Sequence, residues 1–218
     1  MNGILVVDKP QGITSHDVVD AVRRRLRIRR VGHAGTLDPM ATGVLVILVG
    51  TATKLAVRYL NEEKEYDAVI DLGISTDTGD RDGKILRQEE VPSFPLDQIF
   101  TVLKRFKGPI WQTPPAYSAI HYQGRRLYEW AREGKRIQIP SRQVVIHQIE
   151  LVEYRHPSLQ IHLICSKGTY IRRLAEQIGE SLGVPAHLTH LRRIRVGSLT
   201  LDRAVTLDDI TQDKLVPV

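Results

Sequence analysis

Residues 144–165 read VVIHQIELVEYRHPSLQIHLIC, and this stretch decides the fold class. Val144 to Glu153 and Leu159 to Cys165 have the apolar, β-branched character of strands, and their closeness around His156-Pro157-Ser158 predicts an antiparallel hairpin. Directly afterwards Ile171, Leu174, Ala175, Ile178 and Leu182 recur at helical spacing and stop before Gly183. Strands, hairpins and helices are mixed along the chain without a regular alternation of parallel strands and crossover helices. That pattern predicts an α+β fold, not a doubly wound one.

Toward the N-terminus, Ile4 to Asp8 reads as a strand that ends in the turn Lys9-Pro10-Gln11-Gly12. Ser15 is expected to cap a helix whose packing stripe is Val18, Val19, Val22 and Leu26. A glycine-bearing loop follows, then a buried strand at Val44 to Val49 and a short helix at Thr53 to Leu60. Tyr66, Ala68, Ile70 and Leu72 alternate with wetter residues, as in a strand with one buried face. Ser75 to Gly83 reads as a polar loop whose aspartates miss the calcium-loop spacing. Leu96, Ile99, Phe100, Leu103 and Phe106 predict a helix after Ser93. The prolines between Ile110 and Ala119 predict an extended loop, and Leu127 to Glu133 a short helix. Thr206 is the candidate cap of a brief helix in the tail.

The 218 residues are 42% apolar and 26% charged, enough for a sizeable core and incompatible with wholesale disorder. The longest uncharged stretch, Pro39 to Thr53, is too short and too rich in Gly and Thr to span a membrane. The N-terminus lacks a basic region before its apolar run, so the expected location is the cytoplasm. A single cysteine, Cys165, excludes an internal disulfide and a cysteine-rich zinc site. Lys and Arg together number 31 against 25 Asp and Glu, and six arginines fall between Arg23 and Arg30. Such a field suits a polyanion. Arginine-rich usage can also be a compositional habit, and cations at a helix C-terminus have a structural reason in the helix dipole.

The densest constellation is Gly32-His33-Ala34-Gly35-Thr36-Leu37-Asp38-Pro39. From the residues alone, Asp38 is a nucleophile, a base or an Asx-turn former, with the turn favoured because Asp-Pro starts turns readily. His33 alone reads as a hydrogen-bonding residue and Tyr66 as a tyrosine packed at a strand edge. Pro114, Pro115 and Tyr117 read, from the residues alone, as a loop that covers the sheet.

Six blocks, in this order, carry a resemblance: LVVDKPQGITSHDVV (5–19), RRVGHAGTLDPMATGVLVILVGTATKL (29–55), KEYDAVIDLGISTDTGD (64–80), PPAYSAIHYQGRRLYEWAREG (114–134), SKGTYIRRLAEQIG (166–179) and AHLTHLRR (186–193). The chain resembles the bacterial tRNA pseudouridine synthase B family over essentially its whole length. That resemblance implies a pseudouridine synthase fold, with a mixed, largely antiparallel central sheet and flanking helices. It implies isomerisation of uridine 55 in the tRNA T-arm, with no cofactor, no metal and no obligatory protein partner. Asp38 matches the catalytic aspartate, Tyr66 the aromatic residue against the target base, and Arg172 the cation that pairs with the carboxylate. Leu191 matches an apolar pocket wall, His33 the histidine near the flipped nucleotide, and Tyr170, Lys9 and Pro10 motif residues that support the site. Ala34 stands where many relatives carry Thr, which removes one loop hydrogen bond.

Arg24 and Arg27 are the expected contacts to the RNA backbone, and residues near 104–140 the expected RNA-contacting segment. The expected catalytic domain spans 1–218, without the PUA-type domain of longer relatives. Two other classes compete. A non-catalytic RNA-binding or tRNA-folding protein accounts for the arginines but gives no joint role to Asp38, Tyr66 and Arg172. Glycoside hydrolysis normally needs a positioned pair of carboxylates.

Overall fold

A computed structural model describes residues 1–118, 120–135 and 137–217, so Ala119, where the expected 110–119 loop ends, lies outside the described residues. The chain divides into two compact units, Met1–Asp67 with Ile164–Lys167 and His190–Val218, and Ala68–Leu163 with Gly168–Thr189.

In the first unit the apolar strand β1 (Gly3–Lys9) pairs antiparallel with β3 (Thr42–Val49), which places Lys9 opposite Gly43. Every residue of β3 after Thr42 is buried, as its unbroken apolar run requires. Strand β2 (Val31–Ala34) also pairs antiparallel with β3, a strand where the sequence suggested only a loop. Four residues bearing a glycine are too few to show a period. The order is β1-β3-β12-β4, from β4 (Lys64–Leu72) and β12 (Ala186–Val196), with β13 (Leu199–Thr200) on β12. β12 runs parallel to β3, with Arg193 opposite Gly43.

Helix α1 (Ser15–Leu26) buries the expected stripe of Val18, Val19, Val22 and Leu26, each worth about 1.5–3 kcal/mol when fully buried. Its cap is Thr14, not Ser15. Thr14 and Asp17 form a reciprocal capping box, while the Ser15 hydroxyl is spent on Leu37. The expected helix at 53–60 is a 3-10 turn, Gly50–Leu55, running into α2 (Ala56–Asn61). The tail has 3-10 turns at Leu201–Arg203 and Gln212–Lys214. Thr206 bonds Asp209 at 2.6 Å in a plain turn rather than a helix.

The second unit has the order β4-β11-β10-β7, where β10 (Arg142–Arg155) and β11 (Ser158–Cys165) are the expected hairpin neighbours. Strand β7 (Gly108–Gln112) pairs antiparallel with β10 and occupies the start of the expected extended loop. Short pairs join β5 (Ile74–Thr76) to β6 (Ile85–Gln88) and β8 (His121–Tyr122) to β9 (Arg125–Arg126). Helix α3 (Leu96–Arg105) turns Ile99, Val102 and Leu103 inward but leaves Leu96 and Phe100 half exposed. α4 (Leu127–Arg132) and α5 (Ile171–Leu182) complete the unit. Gly183 ends α5 in the left-handed conformation that favours glycine there. Each unit combines a largely antiparallel sheet with helices, the α+β class. No helix among the described residues is long and apolar enough to cross a membrane.

Candidate active site

In the first unit, Asp38 stands half-buried in the loop between β2 and β3, and the chain on either side of it is tied down. Ser15 Oγ donates to the Leu37 carbonyl at 3.0 Å and accepts from the Leu37 amide at 2.9 Å. The Ala41 amide closes a turn on the Asp38 carbonyl at 3.0 Å, and Gly12 donates to Pro39 at 2.8 Å. The turn reading of Asp-Pro is therefore correct for the backbone, whose Asp38 carbonyl accepts from Ala41.

Two buried cations flank this loop. Lys9 Nζ donates to the carbonyls of Pro10, Pro39 and Ala41 at 3.0, 3.3 and 2.7 Å. Burial pulls its pKa down from 10.5 to about 8, against the Asp38 charge, which favours the ammonium. Arg193, 1% exposed, donates to Val44, Gly35 and Thr36. Tyr66 projects into the same buried region from β4. Burial raises its phenol pKa, opposed by the Arg193 guanidinium, so the phenol is neutral at physiological pH. Leu191, buried, lies two residues before Arg193 and shares its face of β12. His33 is half-buried on β2, opposite Ile47.

At the far end of α1 the arginine run splits in two. Arg23 ties to Asp20 and the Val31 carbonyl, Arg25 to Asp208 and Arg30 to Thr53. Arg24, Arg27 and Arg29 are exposed and line, with Arg23 and Ile28, an open cavity of about 560 Å³. None of these three makes a salt bridge among the described residues.

In the second unit, Tyr170 and Arg172 stand at the start of α5. Gln112, 1% exposed, accepts from the Tyr170 amide at 3.0 Å and donates to its carbonyl at 3.3 Å, while Arg142 lies 5.0 Å from the centre of the Tyr170 ring. Arg172 is buried. It donates to the carbonyls of Thr78 at 2.7 Å and Tyr117 at 2.9 Å, and its Nε lies 3.6 Å from Asp80 Oδ2. Asp80 in turn accepts from Thr78 Oγ1 at 2.6 Å and the Asp82 amide at 3.1 Å. The 75–83 segment is thus no mere solvated loop, because it supplies a buried carboxylate.

Sequence reasoning missed Asp80 and Arg193. Asp80 is one of several aspartates in a polar run and carries no local mark. Arg193 did have a signal, since the two-residue period puts it on the buried face with Leu191.

The sequence profile of the "TruB family pseudouridylate synthase (N terminal domain)" matches residues 23–171, and that of the "tRNA pseudouridylate synthase B C-terminal domain" matches residues 172–216. The chain belongs to the TruB family of pseudouridylate synthases. A tRNA pseudouridine synthase B of Clostridium tetani is 43% identical over 215 residues, covering 99% of this chain and 74% of the relative. One from Bacillus pumilus is 46% identical over 217 residues, covering 96% and 70%. A Cbf5-Nop10-Gar1 complex superposes with a TM-score of 0.76 at 32% identity, over 95% of this chain and 53% of that one. The chain spans about half the length of that solved relative.

A pseudouridylate synthase is an isomerase. It breaks the C1'–N1 bond of uridine, turns the freed uracil and joins C5 to C1', with loss of the C5 proton and no redox change. The first unit holds groups suited to these steps: a carboxylate on a braced turn and, on β4, a neutral phenol. Among the described residues no group of three or more His, Cys, Asp or Glu side chains is placed to hold a metal ion.

Proposed function

We propose that this TruB-family chain isomerises uridine 55 in the T-arm of tRNA, with Asp38 as the catalytic carboxylate. The observation that carries the reading is the bracing of the loop that bears Asp38 by Ser15, Lys9 and Arg193, which hold the chain before and after this carboxylate. Asp38 either attacks C1' or removes the C2' proton to give a glycal, and both routes require the ionised carboxylate. Arg172 keeps the role that the motifs give it, the cation for that carboxylate, and Tyr66 stacks against the uracil. Leu191 walls the pocket, and Tyr170 and Lys9 support it.

The nucleotide must leave its stack to be reached, so it is flipped, with His33 beside the vacated position. Arg24 and Arg27, in the cavity at the end of α1, hold backbone phosphate. Residues 104–140 contact the RNA, and residues 1–218 carry the chemistry as one catalytic domain. The enzyme works in the cytoplasm, without cofactor and without an obligatory protein partner.

A folded T-arm stem-loop and an unmodified tRNA, each incubated with the protein and mapped by nucleoside mass after chemical labelling of pseudouridine, test this reading. Conversion of one uridine in both RNAs is the expected result. Binding without conversion would favour a tRNA-folding role, and conversion of tRNA alone at saturating RNA would reject local T-arm recognition.

A further inference from the structure

We propose that Arg193 is a positioning residue for pseudouridine formation, holding the peptide carbonyls that lead into Asp38 and so setting where the carboxylate stands. The inference rests on Asp38 being the catalytic group. Arg193 stands on β12 opposite Gly43 of β3, and the two strands approach so closely that a Cβ at Gly43 would lie 2.2 Å from the Arg193 carbonyl oxygen. From this fixed backbone the guanidinium reaches both ends of the Asp38 loop. Nη2 donates to Gly35 at 3.0 Å and Nη1 to Thr36 at 3.5 Å on the way in, while Nε donates to Val44 at 2.7 Å on the way out.

A planar fork with donors in several fixed directions can close a loop this way, whereas an ammonium is a point donor. The side chain is 1% exposed, and a buried cation is tolerated only where surrounding groups accept its protons. Three carbonyls do so, at two of the loop's ends. Lys9 holds Pro39 and Ala41 just after Asp38, and Ser15 holds Leu37 just before it. Arg193 completes a hold from both sides. Its charge also bears on the Tyr66 phenol, so one guanidinium references both the carboxylate's loop and the ring that stacks on the base.

The test compares wild type with Arg193→Lys and Arg193→Met in three measurements: single-turnover rate at saturating tRNA, tRNA affinity, and amide hydrogen exchange over residues 35–41. Displacement of a reacting group by about 1 Å costs on the order of 100-fold in rate, so Arg193→Met should lose about that much. Arg193→Lys, which restores the charge without the fork, should recover only part of it. Affinity should stay near wild type in both, and exchange at 35–41 should rise while that of α5 does not. Rates near wild type in both variants would overturn the proposal, as would unchanged exchange at 35–41. Loss of the melting transition in both would make Arg193 a residue of the fold and overturn it too. A wild-type protein that converts no uridine would instead refute the tRNA reading, and the exchange measurement would still decide whether Arg193 holds the loop.

Discussion

Lys9 Nζ donates to the Ala41 carbonyl at 2.7 Å, so a buried ammonium at the end of β1 holds the chain three residues beyond Asp38. Burial, reinforced by Arg193, lowers its pKa to about 8, while Asp38 and Asp17 favour its charge. The rate kcat/KM should therefore fall as pH rises through about 8, where Lys9 loses its charge. Stability moves in the opposite direction. The folded value lies below the ordinary 10.5, so between about 8 and 10.5 the unfolded chain binds the extra proton and the share of stability from Lys9 rises. Lys64, which burial also lowers to about 8, adds a similar rise from its position on the α2 carbonyls. Lys9→Arg keeps its charge at all these pH values. It should flatten the alkaline limb of activity and leave the Lys64 part of the stability profile. A limb at the same pH in Lys9→Arg would assign it to another group.

Gly43 and Gly183 both have positive φ, +99° and +82°, but only Gly43 faces backbone, with Arg193 oxygen 2.2 Å from a built Cβ. Gly183→Ala should cost about 1–2 kcal/mol, the conformational penalty alone. Gly43→Ala should cost at least about 3 kcal/mol, because β3 and β12 must also separate. Urea unfolding of both variants measures the difference. Equal costs would mean that the strands part easily.

Arg24 and Arg27 share the cavity at the C-terminal end of α1, where neither is taken up by a salt bridge among the described residues. Replacing both with Ala should make the slope of log affinity against log salt shallower by about 1.5 units, while turnover at saturating tRNA stays near wild type. Arg25→Ala, which only loses Asp208, should leave the slope unchanged. Titrations at several salt concentrations would show a common slope for all three proteins if the cavity holds no phosphate.

Elements with a clear period are legible in the sequence alone. The Val18-Val19-Val22-Leu26 stripe and that of α5 are buried as their spacing requires, and the 144–165 hairpin has neighbouring strands. What escaped was short, charged or rich in proline. β2 has four residues, β7 starts at Gly108-Pro109, and β12 mixes His and Arg into its alternation. Thr14 outcompeted Ser15 as cap because only Thr14 stands three residues before Asp17. The motifs nominate Asp38, Tyr66 and Arg172. The period of β12 places Arg193 on a buried face, but its carbonyl partners, and Asp80 beside Arg172, became visible only when distant strands and loops were brought together, since a hydrogen bond to a remote carbonyl leaves no local pattern.

Conversion of uridine by Asp38→Asn protein measures the central claim most directly. The amide fills the same space but can be neither an anionic nucleophile nor a carboxylate base. In single-turnover reactions with saturating T-arm RNA, followed by nucleoside mass mapping, wild type should give one pseudouridine per RNA. Asp38→Asn should give none while binding the RNA with near wild-type affinity. Pseudouridine formed by homogeneous Asp38→Asn protein at a rate near that of wild type would contradict the account.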